Sequence, residues 1–226
     1  MRVGGEGDGA GFFFMSYTIK RNILRLVRVM CKNGQTKKNT REEMEQEVAA
    51  CRTLFEKKTR DYGTSWRILR LPSLTDQIFI KANRIRSVQE SGENRVGDGE
   101  RGEFVAMVNY AVMALVQLEV ENGERRAENA ELPLELPLGE AMRLYDKHIG
   151  RTLELMMDKN HDYGEAWRQM RISSMVDLIL MKLLRIKQIE DNEGRTLVSE
   201  GVEGGYMDII NYSLFCLVRM TEKEEK

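Results

Sequence analysis

Apolar residues recur at helical spacing along most of the chain, and polar segments that contain glycine separate the apolar stretches. This pattern predicts two successive sets of three helices. The first set comprises helices at roughly 42–60, from Ser73 to about Gln89, and at Phe104–Leu118. The third helix is apolar on most of its faces, which is typical of a helix at the centre of a bundle. The second set is predicted at roughly 139–160, from Ser174 to about Glu190, and at Tyr206–Met220.

The two sets of helices are copies of one another. Residues 56–86 and 157–187, aligned with a shift of 101, are identical at 13 of 31 positions. The match resumes with a shift of 102 and reaches the third helices. Since packing the copies face to face buries both apolar third helices, we expect an all-α fold. The predicted architecture is a pseudo-twofold helical bundle built from two tandem three-helix repeats.

The segments outside the repeats differ in composition. The first 40 residues hold eight Lys or Arg and two acids, which predicts either a disordered extension or a basic amphipathic helix at Tyr17–Met30. A further alternative is that this stretch lies upstream of the true start, with Met15 or Met30 as alternative starts. The predicted organisation is a basic extension at 1–40, repeat 1 at 41–120, a linker at 121–138, repeat 2 at 139–221 and a charged tail at 222–226.

The charge balance and the cysteine content argue against several classes of protein. The 35 basic and 36 acidic side chains nearly cancel, which argues against nucleic-acid binding except through residues 17–38. Three scattered cysteines exclude a disulfide framework, so we expect a reducing, cytoplasmic location. We expect no signal peptide and no membrane span. The sequence has no Walker loop, dinucleotide fingerprint, nucleophile elbow or HExxH motif, and it leaves self-association open.

Both copies contain the string K-x-x-D-Y-G-x-x-W-R. Tyr and Trp offer stacking faces and Lys and Arg bind phosphate, so the string predicts a nucleotide site. A structural alternative is that the aspartates cap the following turn, the glycines allow a positive φ and the aromatic rings pin the turn to the core. The candidate nucleotide-binding residues of this string are Lys58, Asp61, Tyr62, Trp66, Lys159, Tyr163 and Trp167.

The second helix of each copy carries two cations three residues apart, Lys81 and Arg84 in the first copy and Lys182 and Arg185 in the second. This spacing places both cations on one face of the helix. The pair could clamp a pyrophosphate. Alternatively, each pair could bind carboxylates of a neighbouring helix.

Acidic residues concentrate in the second copy. Glu154, Asp158 and His161 fall on one stripe of the first helix, with Asp162 beside it, and Glu203 and Asp208 precede or enter the third helix. Oxygen ligands on facing helices are what Mg²⁺ requires, and the ion would bridge phosphates and activate a water. We therefore treat all five acids as candidate Mg²⁺ ligands, and Glu154, Asp158, Glu203 and Asp208 as candidate catalytic residues. The alternative is a solvated acidic face.

The remaining polar and thiol groups have simple interpretations. Asn109 and Asn211 lie within apolar helices, so they either bond each other across the pseudo-twofold axis or read a base edge. Asn211 and the adjacent Tyr212 are candidate nucleotide-binding residues on the second interpretation. We expect His148 at the surface. Cys51 and Cys216 are expected to be small core residues.

The repeated string K-x-x-D-Y-G-x-x-W, the following S-x-x-D-x-I-x-x-K-x-x-R-I and the N-Y pair of the third helix resemble the nucleotide modification associated domain type one family. The resemblance covers nearly all of 41–221, in two copies. It implies an association with nucleotide modification in phages and bacteria.

Compact helices that carry acids together with Lys and Arg are also similar to those of the all-α MazG-like nucleoside triphosphate pyrophosphohydrolases. Those enzymes place E-x-x-E and E-x-x-D around Mg²⁺, whereas the spacings Glu154–Asp158 and Glu203–Asp208 differ from both motifs.

Two functions follow as hypotheses. The first is a cytoplasmic nucleotide-binding protein whose activity could be Mg²⁺-dependent hydrolysis of a nucleoside triphosphate to a monophosphate and pyrophosphate. The second is a non-enzymatic helical interaction or scaffold module whose repeated residues only maintain the bundle.

Overall fold

The computed structural model describes residues 39–95, 97, 99–124, 135–195 and 201–224. The chain divides into two units, Met1–Asn39 and Thr40–Lys226, and the helices that the structure describes lie in the second. The predictions for the basic extension and for linker residues 125–134 lie outside the described residues.

The described part of the chain forms helices and no strands, which confirms the predicted all-α class. Each repeat contributes three α-helices and one short 3₁₀ helix that follows the first of them. In repeat 1 these are α1 (Thr40–Tyr62), a 3₁₀ helix (Ser65–Ile68), α2 (Leu71–Ser91) and α3 (Glu100–Glu124). In repeat 2 they are α4 (Leu138–Tyr163), a 3₁₀ helix (Ala166–Gln169), α5 (Ile172–Asp191) and α6 (Gly201–Glu224).

Every helix packs against its counterpart in the other repeat. The apolar helices α3 and α6 form the centre, α2 packs on α5, and α1 contacts both α4 and α6. Side chains of both copies therefore share one hydrophobic core. This pairing matches the predicted pseudo-twofold bundle, since burial of both third helices requires the two copies together.

The second helices begin earlier than the sequence predicts. The pattern places these starts at Ser73 and Ser174, but α2 begins at Leu71 and α5 at Ile172, and the side chains of the N-cap residues Arg70 and Arg171 form no capping hydrogen bond with the described residues. In α2, Pro72 in the first turn explains the earlier start, because its fixed φ suits that position and it has no N–H to satisfy.

Aspartates in the second helices α2 and α5 form ion pairs between the two repeats. Lys187 Nζ lies 2.5 Å from Asp76 Oδ1, and Arg86 Nη1 lies 3.7 Å from Asp177 Oδ1. The alignment equates Asp76 with Asp177 and Arg86 with Lys187, so these ion pairs are related by the pseudo-twofold axis. They link α2 to α5 at the surface of the bundle.

Helix α6 begins at Gly201, earlier than the predicted Tyr206, so it includes the glycines that precede Tyr206. Gly205 lies against α5, where an added Cβ would come within 2.9 Å of Ile186 Cδ1. The absence of a side chain at this position therefore allows α5 and α6 to approach closely.

Among the described helices, α3 is long and apolar enough to cross a membrane by length and composition, over Glu100–Glu121. In this structure 61% of the apolar window is buried inside the protein. Buried core helices meet the same criteria, so the absence of a membrane span stays a prediction.

Candidate functional site

The D-Y-G turn separates an exposed aromatic ring from a buried one. Gly164 ends α4 in the left-handed region, with φ of 58°, as the sequence predicts. Tyr163, just before it, is 74% exposed, whereas Trp167 is 6% exposed. The Trp167 ring stacks on Phe215 with 4.5 Å between ring centroids. Tyr163 is therefore the accessible stacking surface of this turn.

The first repeat has the same division of roles. Tyr62 is 70% exposed, and Trp66 is buried and packs near Phe55. The predicted nucleotide-binding residues Trp66 and Trp167 thus both pack in the core. Lys58 and Asp61 are exposed beside Tyr62 on the outer side of α1.

Arg168 fixes the position of the second turn. Its guanidinium carbon lies 4.3 Å from the centroid of the Trp167 ring. It forms ion pairs with Glu43, with Glu165 at 2.7 Å and with Glu222 at 2.6 Å. Three carboxylates from different parts of the bundle therefore hold one cation.

One carboxylate joins the three helices of repeat 2. Asp208 on α6 lies with Oδ2 2.6 Å from Lys182 Nζ of α5 and with Oδ1 3.9 Å from Lys159 Nζ of α4. The Asp208 and Lys182 side chains are 24% and 20% exposed. The structure thus brings together Asp208, Lys182 and Lys159, three residues that the sequence predicts to be functional. We call these three residues and Arg185 the second-repeat cluster.

Arg185 lies one turn beyond Lys182 and is exposed. Within the part of the chain that the structure describes, no carboxylate forms an ion pair with it. In repeat 1, Glu103 pairs with both equivalent cations, at 3.1 Å from Lys81 Nζ and in close contact with Arg84. The repeat alignment places Gly205 at the position of Glu103, so the residue equivalent to the Glu103 carboxylate, which pairs with Lys81 and Arg84 in repeat 1, supplies no carboxylate to Arg185.

The charges of this cluster act on the phenol of Tyr212. Burial raises the pKa of Tyr212, and the Asp208 carboxylate raises it further. Lys182 lowers the pKa of Tyr212, and Tyr163 raises it slightly. The phenol of Tyr212 therefore lies in the electrostatic environment of the ion pair of Lys182 and Asp208.

The candidate metal ligands do not come together. Glu154, Asp158 and Asp162 are exposed on α4, and Glu203 forms an ion pair with Arg151. Among the described residues, no group of three or more His, Cys, Asp or Glu side chains could hold a metal ion. Mg²⁺ binding by these acids stays a prediction that their placement does not support.

The two asparagines of the third helices do not bond each other. Asn109 donates to the Cys51 carbonyl at 3.1 Å and accepts a hydrogen bond from the Tyr145 hydroxyl at 3.0 Å. Asn211 is also buried, but among the described residues its Oδ1 has no hydrogen-bond partner. Under the repeat alignment Met44 corresponds to Tyr145, and a thioether cannot donate. The predicted Asn–Asn contact across the axis is therefore wrong.

His148 and the two cysteines are buried. The prediction that His148 lies at the surface is wrong, because α4 turns it toward α3, where its Nε2 lies 3.0 Å from Glu119 Oε2. Cys51 and Cys216 are fully buried core residues, as expected. Burial raises the pKa of the Cys51 thiol to about 12, and it also raises that of Cys216. Both thiols therefore stay protonated at neutral pH.

A cavity of about 640 Å³ lies beside the end of α1. Its walls include Thr59, Arg60 and Gly63, with residues 135–138 opposite. None of the second-repeat cluster lines this cavity, so it is a separate feature of the first D-Y-G turn.

Comparison with known proteins gives one result. The searches of curated proteins and of solved structures found no significant match. The model of the family described as nucleotide modification associated domain 1 matches residues 58–118 and, a second time, residues 159–220. These two segments cover more than half of the chain, and one lies within each repeat. The chain therefore belongs to the nucleotide modification associated domain 1 family, and it contains two copies of that domain.

Proposed function

We propose that this protein binds a nucleotide through the second-repeat cluster of Lys159, Lys182, Arg185 and Asp208. The observation that carries the proposal is Arg185, an exposed guanidinium one helical turn from Lys182 with no carboxylate partner among the described residues. Guanidinium and ammonium groups are the side chains that bind phosphate oxygens most strongly.

The charge and chemistry of the cluster suit a nucleotide. Three cations and one carboxylate leave a local excess of positive charge, which favours an anion. Tyr163 offers an exposed aromatic face on the same repeat, suited to stacking on a base. In this proposal the cations bind the phosphates and Tyr163 contacts the base.

Repeat 1 is less suited to the same role. Glu103 already pairs with both Lys81 and Arg84, so an incoming phosphate would have to displace it from two cations at once. We therefore assign the nucleotide to repeat 2 and expect one nucleotide per chain.

Isothermal titration calorimetry with the eight common ribo- and deoxyribonucleoside triphosphates tests the proposal. Lys159→Ala and Arg185→Ala should each weaken binding about tenfold, the scale of one lost charge-assisted hydrogen bond. Lys58→Ala is the matched control, because Lys58 is the exposed lysine at the equivalent position of repeat 1. Equal affinities in all variants, or no binding by the wild-type protein, would refute the proposal.

Hydrolysis of a nucleoside triphosphate with Mg²⁺ is a finer version of this proposal. It requires the scattered acids of α4 and α6 to act together, so the geometry supports it less than binding alone. Release of pyrophosphate from the same triphosphates with Mg²⁺ tests it. Glu154→Gln combined with Asp158→Asn should abolish that release if these carboxylates hold the metal.

A helical interaction module is the competing proposal. It is favoured by the packing of Trp66 and Trp167 in the core and by the internal ion pairs of Lys81 and Arg84. It predicts that Lys182→Ala and Arg185→Ala change the free energy of unfolding and have no effect on nucleotide affinity. The calorimetry of the preceding variants, with urea unfolding, distinguishes the two proposals.

A further inference from the structure

The exposed sides of α1 and α4 share an apolar residue and carry charges of opposite sign. Leu54 on α1 and Leu155 on α4 occupy equivalent positions of the two repeats and are 37% and 41% exposed. Nearby exposed positions differ between the copies: those on α1 are Thr53, Lys57 and Arg60, and their equivalents on α4 are Glu154, Asp158 and His161. We call Thr53, Leu54, Lys57 and Arg60 the basic face, and Glu154, Leu155 and Asp158 the acidic face.

Helical spacing places the residues of each face on one side of their helix. Lys57 follows Thr53 by four residues and precedes Arg60 by three, a spacing that brings side chains together on a helix surface. Helices α1 and α4 contact each other, with 4.7 Å between the ring centroids of Phe55 and Tyr145, and both contact the central helices α3 and α6. Since α1 and α4 share one core, both faces point outward from the same pair of helices.

The central charge of each face is available for a partner. Lys57 and Asp158 are exposed, and no ion pair joins either of them to another residue that the structure describes. Arg60 pairs only with Glu56 one turn earlier on α1, at 2.6 Å and at the surface, so it adds to the same basic side. An aspartate four residues after Lys57 and after Asp158 is common to both repeats, so it leaves the difference in sign unchanged.

We propose that the basic face of one chain docks on the acidic face of a second copy of this chain. A twofold axis that exchanges the two copies places each basic face on the acidic face of the other chain. Both contacts then form together, and the assembly closes as a dimer. In this dimer Leu54 packs on the partner's Leu155, and Lys57 pairs with the partner's Asp158.

Charge selects this arrangement over the alternative of like faces. Docking two acidic faces would bring Asp158 against the partner's Asp158, and docking two basic faces would bring two Lys57 ammonium groups together. Like charges across an interface are unfavourable, whereas complementary charges fix the register of two surfaces. The leucines supply the apolar contact, and the charges determine which faces meet.

This inference is independent of the proposed nucleotide site. At 3.6 residues per turn, Lys159 and Tyr163 lie about 100° and about 140° around α4 from Asp158. Neither residue belongs to the acidic face, so dimerisation and nucleotide binding use different sides of the helix and can fail separately.

Sedimentation velocity of the full chain, at concentrations up to about 0.1 mM, tests the dimer. Lys57→Glu and Asp158→Lys should each weaken dimerisation about tenfold or more, because each change places like charges at both contacts. An equimolar mixture of the two variants should recover the dimer. In that mixture the substituted side chains face opposite charges on each other's chain, and the unchanged Lys57 of one variant faces the unchanged Asp158 of the other.

Arg95→Glu is the matched control, because it makes the same charge reversal at an 87% exposed side chain between α2 and α3. It should leave dimerisation unchanged. A monomeric wild-type protein would overturn the inference, and so would variants that dimerise as tightly as the wild type. Two variants that are monomeric alone and stay monomeric when mixed would show that these faces do not meet, and growth into larger assemblies would exclude the closed twofold arrangement.

Discussion

Arg168 and Glu43 form an ion pair between the two repeats, although 125 residues separate them in sequence. Arg168 follows Trp167 in the turn of repeat 2, and Glu43 lies in the first turn of α1. Both side chains are largely buried, and Thr40 accepts a further hydrogen bond from Arg168 at 3.0 Å. The turn that carries the candidate site is therefore fixed by the start of the other repeat.

Arg168→Ala should destabilise the protein by about 3 kcal/mol, because it leaves three carboxylates close together without their shared cation. Urea unfolding followed by circular dichroism measures this change. Arg168→Lys is the control, since it keeps one charge but not the forked geometry, and it should recover part of the loss. A cost below about 1 kcal/mol for Arg168→Ala would show that the network acts as an ordinary surface ion pair.

The equivalent asparagines provide a matched pair of variants. Asn109→Leu should cost about 2 kcal/mol, because it leaves the Cys51 carbonyl and the Tyr145 hydroxyl buried without their partner. Asn211→Leu should be neutral or stabilising, because the Asn211 Oδ1 accepts no hydrogen bond from the residues that the structure describes. Thermal and urea unfolding of the two variants measure the difference. Equal costs would mean that Asn211 makes hydrogen bonds comparable to those of Asn109.

The sequence predicted the parts of this structure that depend on periodicity. Apolar spacing located the helices, and the repeat predicted that the copies would pack together. The D-Y-G glycine was also predictable, because few other residues adopt its positive φ without strain. The exact start of α2 was not predictable from periodicity, because Pro72 allows the helix to begin at Leu71, before the predicted Ser73.

The candidate site was only partly predictable. Helical spacing placed Lys182 and Arg185 on one face, but it could not show that Asp208 would bind one cation and leave the other exposed. The pairing of Asp208 with Lys182 depends on how α5 packs on α6, and helical periodicity does not predict that packing. The signal that could have revealed it is the substitution of Glu103 by Gly205 between the two repeats.

Gly205 offers a direct test of the close packing of these helices. Gly205→Ala should destabilise the protein by about 1–3 kcal/mol, because its Cβ would lie 2.9 Å from Ile186 Cδ1 and Cγ1. Gly102→Ala is the control, because an added Cβ there meets no atom within 4 Å, and alanine should stabilise the helix by about 0.5–1 kcal/mol. Urea unfolding measures both. Combination with Ile186→Ala should be less costly than the sum of the single changes, and strict additivity would contradict the proposed clash.

Stability should also depend on pH through His148. Burial lowers the pKa of His148 below its usual 6.5, although the nearby Glu119 carboxylate opposes this effect. The unfolded chain therefore binds a proton more readily than the folded protein does. The contribution of neutral His148 to stability is complete above pH 6.5 and is lost as the pH falls from 6.5 through the lower folded-state pKa.

Protonation of Glu190 has the opposite effect on stability over part of this pH range: it stabilises the folded protein as the pH falls. Burial raises the pKa of Glu190 above its usual 4.5, despite hydrogen bonds from Thr75 and Tyr206. Its contribution is present below pH 4.5 and is lost as the pH rises through its folded-state pKa. Glu190→Gln should therefore make the acid-induced loss of stability steeper between pH 4.5 and 6.5.

The free energy of unfolding in urea, measured between pH 5 and pH 7 for the wild-type protein and the variants, distinguishes the contribution of His148 from that of Glu190. His148→Gln should flatten the decrease toward low pH, because it removes the imidazole that takes up a proton on unfolding. His161→Gln is the control, since His161 is exposed on the same helix. A pH profile of His148→Gln that runs parallel to the wild-type profile would show that the buried imidazole does not couple protonation to unfolding.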